Sequence, residues 1–295
     1  MSIKPLNDDT IQLADGRTLG YAEYGDAKGA PLFFFHGLPG SRYQSAMLDS
    51  SARDSGVRII GPDRPGFGKS TFDGNRRFDS WPDDVRELAD HLGIERFHVA
   101  GISGGGVYTL ASAHALGDRV LSAGVISGGG DISTPEALEG MHPQNRAIFE
   151  LAKSGPDAVA EQMAPLAQAV RENPEMALEG VKAGLPPADL EMIERRPEFM
   201  EVMREDGLEA MREGTLGVGY EAWLFVQPWG FDVSEIKRPV VLWHGDDDRN
   251  APLSHAQALA DKMPDAELVV WTGMGHLTAF ERLDEILQKL IAIAN

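Results

Sequence analysis

Hydrophobic positions along the chain fall into two textures. In the first, short apolar runs end in turn-rich loops and are followed by stretches of helical spacing. Residues 31–35 read Pro-Leu-Phe-Phe-Phe, apolar without a break. That is the pattern of a strand buried on both faces. Runs at 57–60, 97–100, 120–126, 239–244 and 267–271 read as further strands. Two alternating runs, 11–14 and 17–24, flank Asp15-Gly16 and predict a β-hairpin. Helical spacing appears at 81–92, where Val85, Leu88, Ala89 and Leu92 line one face. Pro82 and Asp83 suit the start of that helix and Gly93 its end. Helices are also predicted at 107–116, 253–263 and 277–293.

The texture changes after Ser127-Gly128-Gly129-Gly130. Residues 131–235 are rich in Glu, Ala and Met, broken by proline and glycine at Pro135, Pro143, Gly155-Pro156, Pro174, Gly184, Pro186-Pro187 and Pro197. They predict several short amphipathic helices and no strand. Strands alternating with helices on both sides of this interruption predict a mostly parallel sheet covered by helices on both faces. The fold class is therefore α/β. Its core is formed by 1–130 and 236–295, and 131–235 is an inserted helical cap. Ligands of open parallel sheets bind outside the carboxyl ends of the strands, so a cap there would build the substrate pocket. Most large apolar residues of this segment read as packing of the cap on the core; Trp223, Phe225 and Trp229, just before the chain re-enters the core, are also candidates to wall the pocket.

Composition narrows the class. The chain has 295 residues, 42% of them apolar, enough for one large core with an insertion. The polar start, Met1 to Thr10, and the lack of an apolar run near the roughly 20 residues of a membrane span predict a soluble, cytoplasmic protein without a membrane partner. There is no cysteine, which removes disulfides, thiolate catalysis and Cys-type zinc sites. Net charge is −19, and 131–235 contributes −13 of it, with 21 acidic against 8 basic side chains. Such a surface repels phosphate backbones and argues against nucleic acid. Self-association is left open.

The chemistry centres on 97–106, Phe-His-Val-Ala-Gly-Ile-Ser-Gly-Gly-Gly. Gly-x-Ser-x-Gly between a strand and a helix is the pattern of a nucleophile elbow, a turn so tight that glycine must flank the serine. The plainer reading is a glycine-rich turn with a bystander serine. A serine attacks only when a base takes its proton, so partners decide the matter. Downstream, 243–252 reads Trp-His-Gly-Asp-Asp-Asp-Arg-Asn-Ala-Pro after a strand, and 273–276 reads Gly-Met-Gly-His before the last helix. Serine, acid and histidine then occur in the order expected for this elbow, each past the carboxyl end of a strand. Asp246, Asp247 and Asp248 compete as the acid, with Asp131 a further rival. His36 reads as a brace of its turn, and His98 and His244 as packed structural residues. No rigid histidine spacing supports a metal site. Ser127 follows an apolar strand too, but it lacks the Gly-x-Ser pattern and reads as a hinge. A dinucleotide fingerprint fails because position 103 is serine. No cofactor is called for.

Five motifs together resemble the α/β-hydrolase superfamily in its esterase-like branch. They are His-Gly-x-Pro-Gly at 36–40, Asp-x-x-Gly-x-Gly-x-Ser at 63–70, Gly-x-Ser-x-Gly at 101–105, Gly-x-x-Asp…Pro at 245–252 and Gly-x-Gly-His at 273–276. The resemblance runs from about 20 to 292 except for the cap. It implies Ser103 as nucleophile, Asp248 as acid and His276 as base, and places the oxyanion-hole N–H donors at Leu38 and Gly104. It implies a carboxylesterase, with lactone, thioester, C–C and amide cleavage and perhydrolysis as related outcomes; the aromatic residues at 223–229 point to a small-to-medium apolar acyl group. The competing class is a non-catalytic binding protein on the same fold. Arg64 and Lys69 read as turn and surface residues, with Arg64 or Phe67 as alternative pocket-lining positions.

Overall fold

A computed structural model describes residues 4–134, 136–182 and 185–294. Eight strands form one sheet: β1 Asn7–Gln12, β2 Thr18–Gly25, β3 Ala30–Phe35, β4 Val57–Pro62, β5 Phe97–Ile102, β6 Val120–Ile126, β7 Val240–Gly245 and β8 Ala266–Trp271. Their order is β1-β2-β4-β3-β5-β6-β7-β8. The predicted hairpin is the antiparallel β1–β2 pair, with its first strand at Asn7–Gln12 rather than 11–14, and β2 meets β4 antiparallel. From β4 to β8 all pairings are parallel, so the carboxyl ends of β3 and β5 to β8 share one edge.

Alternation along the apolar runs divides the core in two. Phe33 and Phe35 face one side of the sheet with Phe97, Val99 and helix residues Val85, Leu88 and Leu110. Leu32 and Phe34 face the other with Ile59, Ile102, Trp243, Ile286 and Leu290. Full burial of each such side chain is worth about 1.5–3 kcal/mol, which is why these runs carry no polar break.

Helices cover both faces: α1 Asp49–Asp54, α2 Trp81–His91 and α3 Gly105–Ala115 precede β6. Between β6 and β7 the described residues hold no strand, only 3-10 turns and α4 Pro143–Ala152, α5 Pro156–Glu172, α6 Pro174–Lys182, α7 Pro187–Arg195, α8 Glu198–Ala210 and α9 Leu216–Phe225. Prolines open α4 to α7 at their first turns, where a missing N–H costs nothing. Two helices, α10 Leu253–Ala260 and α11 Leu283–Ala292, close the fold. No helix among the described residues is long and apolar enough to cross a membrane.

Two further elements depart from the sequence pattern. A 3-10 helix at Arg42–Leu48 runs into α1 where the pattern predicts no helix. The last predicted helix is split into a 3-10 turn, Thr278–Glu281, and α11, with Arg282 between them outside helical geometry.

Candidate active site

The turn from β5 to α3 places Ser103 at φ 52°. This left-handed conformation is rare for a residue with a Cβ and is held only where surroundings enforce it. The enforcing contacts are backbone ones. Ser103 N–H donates to Ile126 O of β6 at 2.9 Å, and Gly106 N–H returns to Ser103 O at 3.0 Å. Glycine follows because the space is taken: a Cβ on Gly106 would lie 2.9 Å from Val125 Cγ1. Ser103 itself stays partly exposed.

The acid and histidine loops meet. Asp248, in the loop after β7, accepts His276 Nδ1 on Oδ2 at 2.7 Å. Its Oδ1 accepts the backbone N–H groups of Asn250 and Ala251, each at 2.9 Å. Burial pushes this carboxyl up, but the His276 charge and hydrogen bond, then His244 and the Ala251 N–H, outweigh it and hold Asp248 below the usual carboxylate range. For His276 burial favours the neutral ring. The Asp248 charge and hydrogen bond, with a smaller push from Asp189, prevail and raise the imidazole above its ordinary value.

The rival acids are accounted for differently. Asp246 accepts Gly273 N–H at 2.6 Å and ties the acid loop to the histidine loop. Asp247 faces Arg249 at 3.4 Å on the surface, and Asp131 caps its own turn through Ser133 N–H. His244 is buried and gives Nε2 to Ala251 O at 2.6 Å, 3.5 Å from Asp248 Oδ2. His98 pairs with Ser122 Oγ at 2.7 Å inside the core.

Leu38 and Gly104 lie side by side. A Cβ on Gly104 would stand 3.5 Å from Leu38 N and 3.1 Å from Phe225 Cζ of α9. Neither the Leu38 nor the Gly104 N–H has a hydrogen-bond partner among the described residues. Leu38 also packs against the apolar cluster of Phe67, Met211 and Val218. Arg64 corrects the sequence reading: its side chain is fully buried and forks onto Glu221 of α9. A separate open cleft, lined by Gly66, Thr71, Phe72, Arg212 and Leu216 among others, contains none of the predicted site residues.

Comparison with known proteins bears on the fold and its family. The family model described as the alpha/beta hydrolase fold matches residues 30–283. The chain belongs to the α/β-hydrolase family. It is 27% identical over 94% of its length to the dihydrolipoyllysine-residue acetyltransferase component of the acetoin cleaving system of Pseudomonas putida, of which it spans 66%. It is 30% identical to 2-hydroxy-6-oxo-6-phenylhexa-2,4-dienoate hydrolase of Comamonas testosteroni, over 79% of this chain and 75% of that one. An esterase structure from Thermogutta terrifontis, 24% identical, superposes with a TM-score of 0.65 and 97% of each chain covered.

One site residue lies outside all five of the α/β-hydrolase motifs. Asp189 on α7 is fully buried and accepts Leu277 N–H on Oδ1 at 2.8 Å. Its carboxylate fills the place where a Cβ on Gly275 would be, 2.6 Å from Oδ1. The second glycine of Gly-Met-Gly-His is thereby explained: it admits a carboxylate beneath the histidine loop. Only the aspartate's position, near the start of a helix after Pro186-Pro187, is visible in the sequence, and that position reads as an ordinary first-turn acid.

Proposed function

We propose that this chain is a serine hydrolase that cleaves an uncharged carboxylic ester through an acyl-Ser103 intermediate. The observation that carries the reading is Ser103 in a strained turn at the same sheet edge as a 2.7 Å Asp248–His276 pair. With Nδ1 committed to Asp248, Nε2 of His276 takes the Ser103 proton as Oγ attacks the carbonyl carbon. The N–H groups of Leu38 and Gly104 receive the developing oxyanion. His276 then protonates the departing alcohol. Water, deprotonated by the same nitrogen, attacks the acyl carbon and releases the acid and free Ser103. Asp248 fixes the tautomer and stabilises the imidazolium. The helices between β6 and β7 act as the cap, with Phe225 and Leu38 giving the acyl side an apolar wall.

An uncharged substrate is favoured because residues 131–235 carry 21 acidic against 8 basic side chains, while the three buried arginines are each engaged by carboxylates, Arg64 and Arg76 sharing one. Arg64 and Arg76 pair with Glu221, and Arg42 with Asp8, Asp63 and Glu209. A second reading, C–C bond hydrolysis, takes its support from the 30% identity to the dienoate hydrolase.

A fluorophosphonate probe and p-nitrophenyl esters of rising acyl length test the proposal, with a 2-hydroxy-6-oxodienoate alongside. Labelling and ester turnover by the wild type, both lost in Ser103→Ala, are expected. Turnover of the dienoate alone would move the assignment to the second reading. Absence of labelling in both proteins would favour a non-catalytic binder.

A further inference from the structure

We infer that the helical segment between β6 and β7 sets the oxyanion hole, through two buried carboxylates, Asp206 on α8 and Glu221 on α9, that fix the peptide groups on either side of Gly37. The inference rests on the reading of Leu38 N–H as an oxyanion donor. Gly37 O and Leu38 N belong to one planar peptide group, so holding the carbonyl aims the N–H the opposite way.

The Arg64 guanidinium does the holding. Its Nη2 donates to Gly37 O at 2.9 Å and its Nη1 to His36 O at 2.5 Å. His36 Nδ1 adds a second donor to Gly37 O at 2.9 Å. Burial, then the Arg64 charge, keep that imidazole neutral. Glu221 fixes the plane of the guanidinium bidentately, accepting Nη2 at 2.5 Å and Nε at 2.9 Å. Glu221 is in turn held by Tyr108 Oη at 3.0 Å and Arg76 Nη1 at 3.2 Å.

The second arm runs through an amide. Gly37 N–H donates to Gln44 Oε1 at 2.6 Å, and Gln44 Nε2 donates to Asp206 Oδ2 at 3.3 Å. Asp206 Oδ1 accepts both the N–H and the hydroxyl of Ser41, each at 2.7 Å. An ionised carboxylate accepts and never donates. It therefore selects the Gln44 rotamer whose NH₂ faces α8 and whose oxygen faces Gly37. Peptide 36–37 is held at both ends and peptide 37–38 at its carbonyl, which leaves Leu38 N–H as the unengaged group. Asp206 and Glu221 are positioning residues: neither is placed at the reacting atoms.

A hydrogen-bond polarity swap tests this. In Asp206→Asn the amide NH₂ meets Gln44 Nε2, so Gln44 must turn and present a donor to Gly37 N–H. In Gln44→Glu two carboxylates face each other. In the double variant the new amide at position 206 donates to one oxygen of the new carboxylate at position 44, and Gly37 N–H donates to the other. Hydrolysis of p-nitrophenyl acetate is measured at pH 8, above the value of about 7 to which burial, against the donors of Ser41, pushes Asp206. Each single variant is expected to lose about ten-fold or more in kcat with KM within two-fold, bounded by the 10²–10³-fold typical of a lost oxyanion donor. The double variant is expected to regain most of it. Melting temperatures measured alongside separate this from loss of fold. If Asp206→Asn does not fold, Gln44→Met reads the same link, with the same kcat loss expected. Wild-type kcat in Asp206→Asn or Gln44→Met, or a double variant no better than the worse single, would overturn the inference. A wild type that neither turns over the ester nor is labelled at Ser103 would instead overturn the reading of the site, and the inference with it.

Discussion

Ser103 and Ser127 share an unusual feature at the scale of single residues. They are the non-glycine residues with positive φ among those described, at 52° and 47°. Both end a parallel strand, and both donate N–H to the next strand, Ser103 to Ile126 and Ser127 to Trp243. Only Ser103 is followed at once by a helix and stays partly exposed; Ser127 is buried. The pentapeptide makes this distinction readable in sequence. The electrostatics of His276 are not readable there, because one of the two carboxylates acting on it sits on a helix 87 positions away. A base must be neutral to act, so kcat/KM falls as pH drops through the His276 pKa. That pKa is raised, so the acid limb is expected above the ordinary 6.5. Asp248→Asn is expected to cost on the order of 10⁴ in kcat by favouring the wrong tautomer. Asp189→Asn keeps the acceptor for Leu277 N–H and removes only the charge. It is expected to move the acid limb of a pH–rate profile downward, and an unmoved limb would remove Asp189 from the electrostatics of the base.

Elements are legible where packing alone sets the residue pattern. The parallel strands are apolar on both faces, and the sequence pattern locates them to within a residue or two. The 3-10 helix Arg42–Leu48 escapes that pattern for the opposite reason. Arg42, Gln44 and Ser45 are buried there as polar side chains, so the segment reads as a loop. Its burial depends on acids 160 or more positions away, Asp206 and Glu209, which no local window contains. The same limit applies to the helices between β6 and β7: their presence is legible, their grip on the loops after β3 and β8 is not. Gly275 gives this contact a measurable consequence. In Gly275→Ala the new Cβ would lie 2.6 Å from Asp189 Oδ1, a distance real Cβ contacts do not reach. Either α7 or the histidine loop must shift, and overpacking of this kind costs about 1–3 kcal/mol. Lower kcat together with that loss in chemical denaturation is expected. An unchanged protein would show that the loop and α7 are not in rigid contact.

At the scale of the whole molecule, charge dominates. Of the acids in 131–235, Asp189, Asp206 and Glu221 are buried against core loops. Most of the others lie at or near the surface, and they surround the segment proposed to cover the site with negative potential. The buried arginines are all engaged by carboxylates, with Arg64 and Arg76 sharing Glu221. Long-range repulsion should therefore be felt on approach and screened by salt, with a Debye length of about 10 Å at 0.1 M. p-Nitrophenyl butyrate and mono-p-nitrophenyl succinate carry four-carbon acyl chains that differ by one carboxylate. At low ionic strength kcat/KM for the succinate is expected to be lower by about ten-fold or more, and to climb as salt is added. The butyrate value should stay nearly flat over the same range. If the succinate were instead preferred at low salt and lost its advantage on screening, a cation at the pocket would have to outweigh a net charge of −19. The acyl site would then be built for an anion rather than for an apolar chain.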